Sequence, residues 1–141
     1  MKRKASVAWS GDLKSGKGTI STDSGALNAL PYAYSTRFGE AKGTNPEELV
    51  AAAHASCFSM ALSNELGKAG ITNPGIATTA TVELKIVDGA FAVTASHLDV
   101  TITAKGADQA ALKTAAESAE ANCPISKLLR AEISMTATYE T

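Results

Sequence analysis

The stretch NPEELVAAAHASCFSMALSNELGKAG, residues 45–70, decides how this 141-residue chain is read. Asn45 can cap a helix, Pro46 suits the first helical position, where a missing N–H costs nothing, and Glu48 stands three residues on, where a capping box places its acid. Leu49, Val50, Ala51, Ala53, Phe58, Met60, Ala61, Leu62 and Leu66 carry the apolar pattern to a stop at Gly67 or Gly70. A helix continuous to Ala69 would be on the order of 35 Å long. Its middle is apolar almost all round, which predicts a helix covered by neighbours on every side, more than so short a chain supplies by itself.

Extended segments lie on both sides of this helix. Before it, residues 7–9, 18–22 and 33–38 read as short strands separated by Gly11-Asp12 and Ser24-Gly25. After it, Val82, Leu84 and Ile86 alternate with Thr81, Glu83 and Lys85, and Asp88-Gly89 supplies a hairpin turn into Phe91 and Val93. The same period is expected to continue through Leu98, Val100 and Ile102. A second helix should open at Asp108, turn Leu112, Ala115, Ala116 and Ala119 inward, and end near Asn122, because Pro124 disfavours helical geometry at Cys123. A short helix over residues 124–130 restarts there. A last strand is written by Ile133, Met135, Ala137 and Tyr139. One apolar face per strand fits antiparallel sheets packed on helices, so the order is three strands, helix, two or three strands, helix pair, strand, in one domain spanning residues 1–141.

With 13 Lys and Arg against 14 Asp and Glu, the chain has no basic excess for nucleic acid or an anionic membrane surface. No apolar run reaches the roughly 20 residues of a bilayer span. The basic Met1-Lys2-Arg3-Lys4 runs into polar residues with no apolar signal core behind it, so a cytoplasmic location is expected. Two cysteines are too few for a disulfide scaffold or a four-thiolate zinc site. That leaves buried bystanders or chemistry.

Cys57 lies in mid-helix, where a free thiol is commonly a small hydrophobe; a reactive one would need an imported cation, for which Arg37, Lys42 and His54 are the candidates. Cys123 sits at a helix break with the unpaired amides of the next helix ahead of it, a place where a thiolate can be held, although a plain core or capping role fits equally. His54 could serve Cys57 as a base, but neither an orienting group nor an oxyanion hole is legible around it, and packing explains it more simply. His97 reads as a strand residue facing solvent. The two His and two Cys, none at ligand spacing, give no basis for a metal site. Glu47 and Glu48 have the plain role of charges in a first helical turn, and Arg37 that of a surface charge at the end of a strand.

Taken together, these residues form a pattern. Thr36-Arg37-Phe38, then Gly43-Thr44-Asn45-Pro46-Glu47-Glu48-Leu49, then Ala52-Ala53-His54-Ala55-Ser56-Cys57-Phe58-Ser59-Met60-Ala61-Leu62 resemble the OsmC/Ohr family (osmotically inducible protein C and organic hydroperoxide resistance protein). So do Trp9-Ser10-Gly11-Asp12, Gly16-Lys17-Gly18-Thr19 and Cys123-Pro124-Ile125-Ser126. An arginine in Thr-Arg-Phe is similar to the OsmC branch, whereas the Ohr arginine lies nearer the N-terminus and Arg3 is too early to be it. The resemblance implies an α+β OsmC-like fold, with antiparallel β-sheets around two long central helices, and an intertwined homodimer. It implies that Cys57 is the peroxidatic cysteine, Cys123 the resolving one, Arg37 the cation facing the thiolate and Glu47 the carboxylate that orients Arg37.

The activity so implied is thiol-dependent reduction of organic hydroperoxides, with hydrogen peroxide left open as a further substrate, through a Cys57 sulfenic acid and a Cys57–Cys123 disulfide. No cofactor is implied beyond a thiol reductant, a dihydrolipoyl-type dithiol or a lipoylated protein. The chemistry agrees: attack on a peroxide needs a lowered thiol pKa, which a guanidinium in an apolar pocket provides, and a second thiol captures the sulfenic acid before over-oxidation. Glu47 and Cys57 would stand about 15 Å apart along one helix, which points to a site built across a dimer interface. The rival reading is a non-enzymatic stress protein that senses oxidant or binds an apolar ligand.

Overall fold

The computed structural model describes residues 1–141, which divide into two compact units, Met1–Leu49 and Val50–Thr141. In the first, β1 (Ala5–Ser10), β2 (Lys17–Thr22) and β3 (Leu30–Ala33) form an antiparallel sheet in that order. Gly18 and Ile20 are its buried positions, while β1 is exposed throughout. Gly18 lies beneath the Tyr32 and Trp9 rings, where any Cβ would collide, and those two rings meet at 5.4 Å.

Residues 33–38 are not the strand expected from their sequence. The chain leaves β3 at Ala33 and turns into a short helix, α1 (Tyr34–Phe38). The cause is local: the Thr36 hydroxyl accepts from the Ala33 amide at 3.0 Å and donates to the Ala33 carbonyl at 2.9 Å. Tyr34 and Phe38 then stack one turn apart, ring centroids 4.9 Å from each other. Arg37 therefore projects from a helical turn rather than from a strand end.

The expected long helix is present without a break as α2 (Pro46–Lys68). Its start is capped as its residues imply, the Glu48 amide donating to Asn45 Oδ1 at 2.8 Å. The Glu48 carboxylate accepts from Thr44 Oγ1 instead of closing the box on Asn45. Burial is narrower than the all-round apolar middle predicts. Only the stripe His54, Phe58, Leu62 and Leu66 is buried, whereas Ala52, Ala53 and Ser56 are exposed and Met60 is 77% exposed.

In the second unit β4 (Gly75–Val87), β5 (Ala90–Thr103) and β6 (Glu132–Glu140) form one sheet, order β4-β5-β6. The hairpin turns at Asp88-Gly89, both with positive φ (52° and 80°), which suits the twist of the flanking strands. The expected continuous period is interrupted. Glu83 pairs with Ala95 but Leu84 with Val93, so Thr94 is an extra residue, a β-bulge that moves the inward set from odd to even numbers. Ser96, Leu98, Val100 and Ile102 consequently face the core in succession.

The last strand corrects a second expectation, since β6 runs parallel to β5. The helices α3 (Gln109–Asn122) and α4 (Pro124–Leu128) lie between them and return the chain to the same end of the sheet, as parallel pairing requires. Asp108 caps α3 through the Ala111 amide, and Leu112, Ala115, Ala116 and Ala119 are its buried residues, as expected. α4 stops at Leu128, two residues early, where the Leu129 amide closes on the Ile125 carbonyl. α2 and α3 pack with the sheet around a single cluster that includes Phe58, Leu62, Leu66, Leu98, Val100, Ile102, Leu112 and the fully buried Cys123. None of the helices is long and apolar enough to cross a membrane.

Candidate active site

Cys57 lies half-buried in mid-α2, one residue before the buried Phe58, and Cys123 is fully buried between α3 and α4. The placement of Cys123 follows from Pro124. Its amide still completes α3 by donating to the Ala119 carbonyl at 2.8 Å, and its carbonyl begins α4 by accepting from Lys127 at 3.1 Å. Proline at the first position of α4 has no N–H, so the next two amides, Ile125 and Ser126, are the unpaired donors of the first turn. Packing α2 against the sheet beside this break brings the two thiols within reach of each other, and both face those amides.

The electrostatics divide the pair. Burial pushes the Cys57 thiol up, the Ile125 amide opposes this only partly, and the neighbouring Cys123 sulfur raises it further. Burial also disfavours a charge on Cys123, but the Ser126 amide, the Cys57 thiol proton, the Ser126 hydroxyl and the Ile125 amide outweigh it and take this thiol below its ordinary value. The two sulfurs are close enough that their protons belong to the pair rather than to either residue.

His54 is fully buried beside this pair, its Nδ1 2.7 Å from Ser96 Oγ and its Nε2 2.9 Å from Ser126 Oγ. Burial holds its pKa below the usual 6.5, so it is neither a cation for Cys57 nor a free base. Both of its ring nitrogens are engaged. His97 sits on the partly exposed side of β5, bonded to Ser134 at 2.6 Å.

In the first unit Arg37 and Glu47 form a forked ion pair. Arg37 Nη2 reaches Glu47 Oε1 at 2.6 Å and Nε reaches Oε2 at 3.1 Å, while the guanidinium lies over the Phe38 ring at 4.9 Å. Such a fork fixes the direction of the guanidinium plane. Trp9, Leu13, Tyr32, Tyr34 and Phe38 line a largely apolar cavity of about 310 Å³ that also receives Arg37.

Two participants were not picked out from the sequence, Ser96 and Ser126. Ser126 stood in Cys-Pro-Ile-Ser as part of a family pattern without a physical role. Ser96 carried a usable signal: it is a polar residue in phase with the adjoining Leu98, Val100 and Ile102, and a buried hydroxyl needs a partner.

The buried histidine makes a checkable contribution to stability. Native His54 stays neutral at pH values where an unfolded imidazole takes a proton, so the unfolded state binds more protons between 6.5 and the lowered native value. Stability should therefore fall as pH drops through that window and level off below it. Urea midpoints measured from pH 7.5 to 5 for the parent and for His54→Gln should converge as pH falls; parallel curves would show that His54 is not the group responsible.

Residues 39–138 match the family described as OsmC-like protein. The chain is 50% identical over 133 residues, 94% of its own length and 93% of the relative's, to peroxiredoxin OsmC of Escherichia coli (strain K12). It is 32% identical over 97 residues, 68% of this chain and 66% of the other, to the organic hydroperoxide resistance protein of Xanthomonas axonopodis pv. citri (strain 306). Among solved structures it is similar to an organic hydroperoxide resistance protein from Elizabethkingia anophelis, with a TM-score of 0.74 and 26% identity, covering all of this chain and 98% of that one.

Proposed function

The chain belongs to the OsmC-like protein family, and from that premise we propose that it is a two-cysteine peroxidase that reduces organic hydroperoxides to alcohols. The observation that carries the reading is the meeting of Cys57 and Cys123 beside the Ile125 and Ser126 amides. The Cys57 thiolate attacks the terminal peroxide oxygen, the O–O bond breaks, and the alkoxide leaves as alcohol after taking a proton. Cys57 is left as a sulfenic acid. The Cys123 sulfur displaces its hydroxyl as water and forms the disulfide, and a dithiol of the dihydrolipoyl type returns both thiols to the reduced state. Favouring charge on Cys123 suits it to the second step, since the thiolate is the attacking species.

Cys57 needs help from elsewhere, because burial raises its pKa and mid-helix amides are already bonded. Arg37, oriented by Glu47, is the proposed source. Glu47 and Cys57 are ten residues apart on α2, about 15 Å along the helix axis. Two copies of α2 packed antiparallel about a two-fold axis would bring the first turn of one towards the middle of the other. The uncovered Ala52, Ala53, Ser56 and Met60 supply a small-residue apolar face for that packing. The active protein in this reading is a homodimer whose partner chain furnishes Arg37 and Glu47 to each Cys57.

Steady-state assay with cumene hydroperoxide and reduced lipoamide separates this from a sensor or a ligand-binding protein. Many equivalents of peroxide should be consumed per chain. Consumption that stops after one equivalent, with the disulfide unreduced by lipoamide or any other dithiol, would refute enzymatic turnover.

A further inference from the structure

One buried titratable group has no part in the scheme above. His54 and Ser96 have no exposed surface at all, in a region otherwise filled by Phe58, Leu62 and Leu98. Burying an imidazole and a hydroxyl there costs free energy unless every polar atom is paired. The pairing found satisfies them, and one tautomer of the imidazole gives it a direction.

The Ser126 hydroxyl has one proton to give and lies beside the Cys123 sulfur, whose ionised form it favours. Its oxygen stands 2.9 Å from His54 Nε2. If Nε2 carries the imidazole proton, it donates to Ser126 Oγ and leaves the Ser126 proton for the sulfur. A neutral imidazole protonated on Nε2 presents a lone pair at Nδ1, and Nδ1 lies 2.7 Å from Ser96 Oγ, whose proton it accepts. In this tautomer Ser96, His54 and Ser126 form one chain of donors that ends at the Cys123 sulfur, joining β5, α2 and α4.

We infer that Ser96 and His54 are positioning residues for the resolving step: they hold the Ser126 hydroxyl as a donor to Cys123 and so speed its attack on oxidised Cys57. The inference rests on the cysteine roles proposed above. In the step concerned, an electron pair of the Cys123 sulfur forms the bond to the Cys57 sulfur, and the S–O bond breaks with its electrons passing to oxygen. The proton given up by the Cys123 thiol converts the departing hydroxide to water. Cys123 is oxidised, the Cys57 sulfenic acid is reduced, and no other reactant is needed. Ser96 acts at a distance: without its proton at Nδ1, the imidazole can carry its own proton there, and Nε2 then draws the Ser126 hydroxyl away from the sulfur.

The test is a single turnover. Reduced protein is mixed with one equivalent of cumene hydroperoxide and quenched at intervals, and peroxide loss and Cys57–Cys123 disulfide are read separately by mass spectrometry. Ser126→Ala and Ser96→Ala should each slow disulfide closure about tenfold, the scale of one hydrogen bond to a charged group. Peroxide loss should not slow in step with closure, and Ser126→Thr, which keeps the hydroxyl, should close at the parental rate. Parental closure in either Ala variant overturns the inference, as does equal slowing of both steps, the mark of a merely structural role. Should Ser96→Ala not fold, Ser126→Ala against Ser126→Thr decides alone. Absence of any Cys57–Cys123 disulfide in the parent would instead remove the two-cysteine scheme, and this inference with it.

Discussion

Cys57→Ser is expected to abolish peroxide consumption, a loss of at least about 10³-fold, because the nucleophile itself is removed and nothing in the site can replace a thiolate. Cys123→Ser should behave differently. It should consume about one equivalent of peroxide per chain and then stop turning over with reduced lipoamide, leaving Cys57 as a sulfenic acid open to further oxidation. The distinction follows from the order of the two steps, attack before capture. It also separates Cys57 from Cys123 by their place in the sequence of steps, which the electrostatics of the resting pair do not do, since the neighbouring thiols titrate together. A Cys57→Ser chain that consumed one equivalent while Cys123→Ser consumed none would reverse the two roles. A Cys123→Ser chain that cycled at the parental rate would remove the resolving role altogether.

The second large effect concerns Arg37. An opposite charge within about 4–6 Å of a titrating group typically lowers its pKa by roughly 1–3 units, so Arg37→Ala should raise the apparent pKa of Cys57 by an amount in that range and depress peroxide reduction at pH 7 in step. Alkylation rate against pH, read in a Cys123→Ser background so that only one thiol titrates, measures it; superimposable curves would exclude Arg37. Whether the arginine comes from the partner is tested by complementation. Cys57→Ser chains mixed with Arg37→Ala chains and exchanged through reversible denaturation should recover about one quarter of the parental activity, since random pairing makes half the dimers mixed and each mixed dimer holds one intact site. No recovery despite confirmed heterodimers would place Arg37 on the same chain as its cysteine. Glu47→Gln should weaken the fork that aims Arg37 and give a smaller loss of the same kind.

The helices were the most legible part of the chain, and the reason is range. Asn45, Pro46, Asp108 and Pro124 act on amides within one turn of themselves, so their effects can be read without knowing what packs nearby. The failure at residues 33–38 belongs to the same scale. Tyr32 and Tyr34 suggest extended backbone, but a hydroxyl three residues from Ala33 bonded both its amide and its carbonyl and turned the chain. The Thr94 bulge was also written in the sequence, as a change from odd to even apolar positions between Val93 and Leu98. It went unread because period-2 alternation looks continuous on either side of it.

By itself, then, the sequence determined the family, the two long helices α2 and α3 with their capped starts, the Asp88-Gly89 hairpin and the two thiols as the candidates for chemistry. All of these depend on contacts within a few residues or on matched motifs. Only the tertiary structure decided that β6 lies parallel to β5, that Cys57 and Cys123 meet, and that His54 joins Ser96 to Ser126. Each of these joins residues far apart in the chain through the packing of α2, α3 and α4 with one sheet. Local propensity carries no information about such a meeting; it is set by which apolar faces must be buried together.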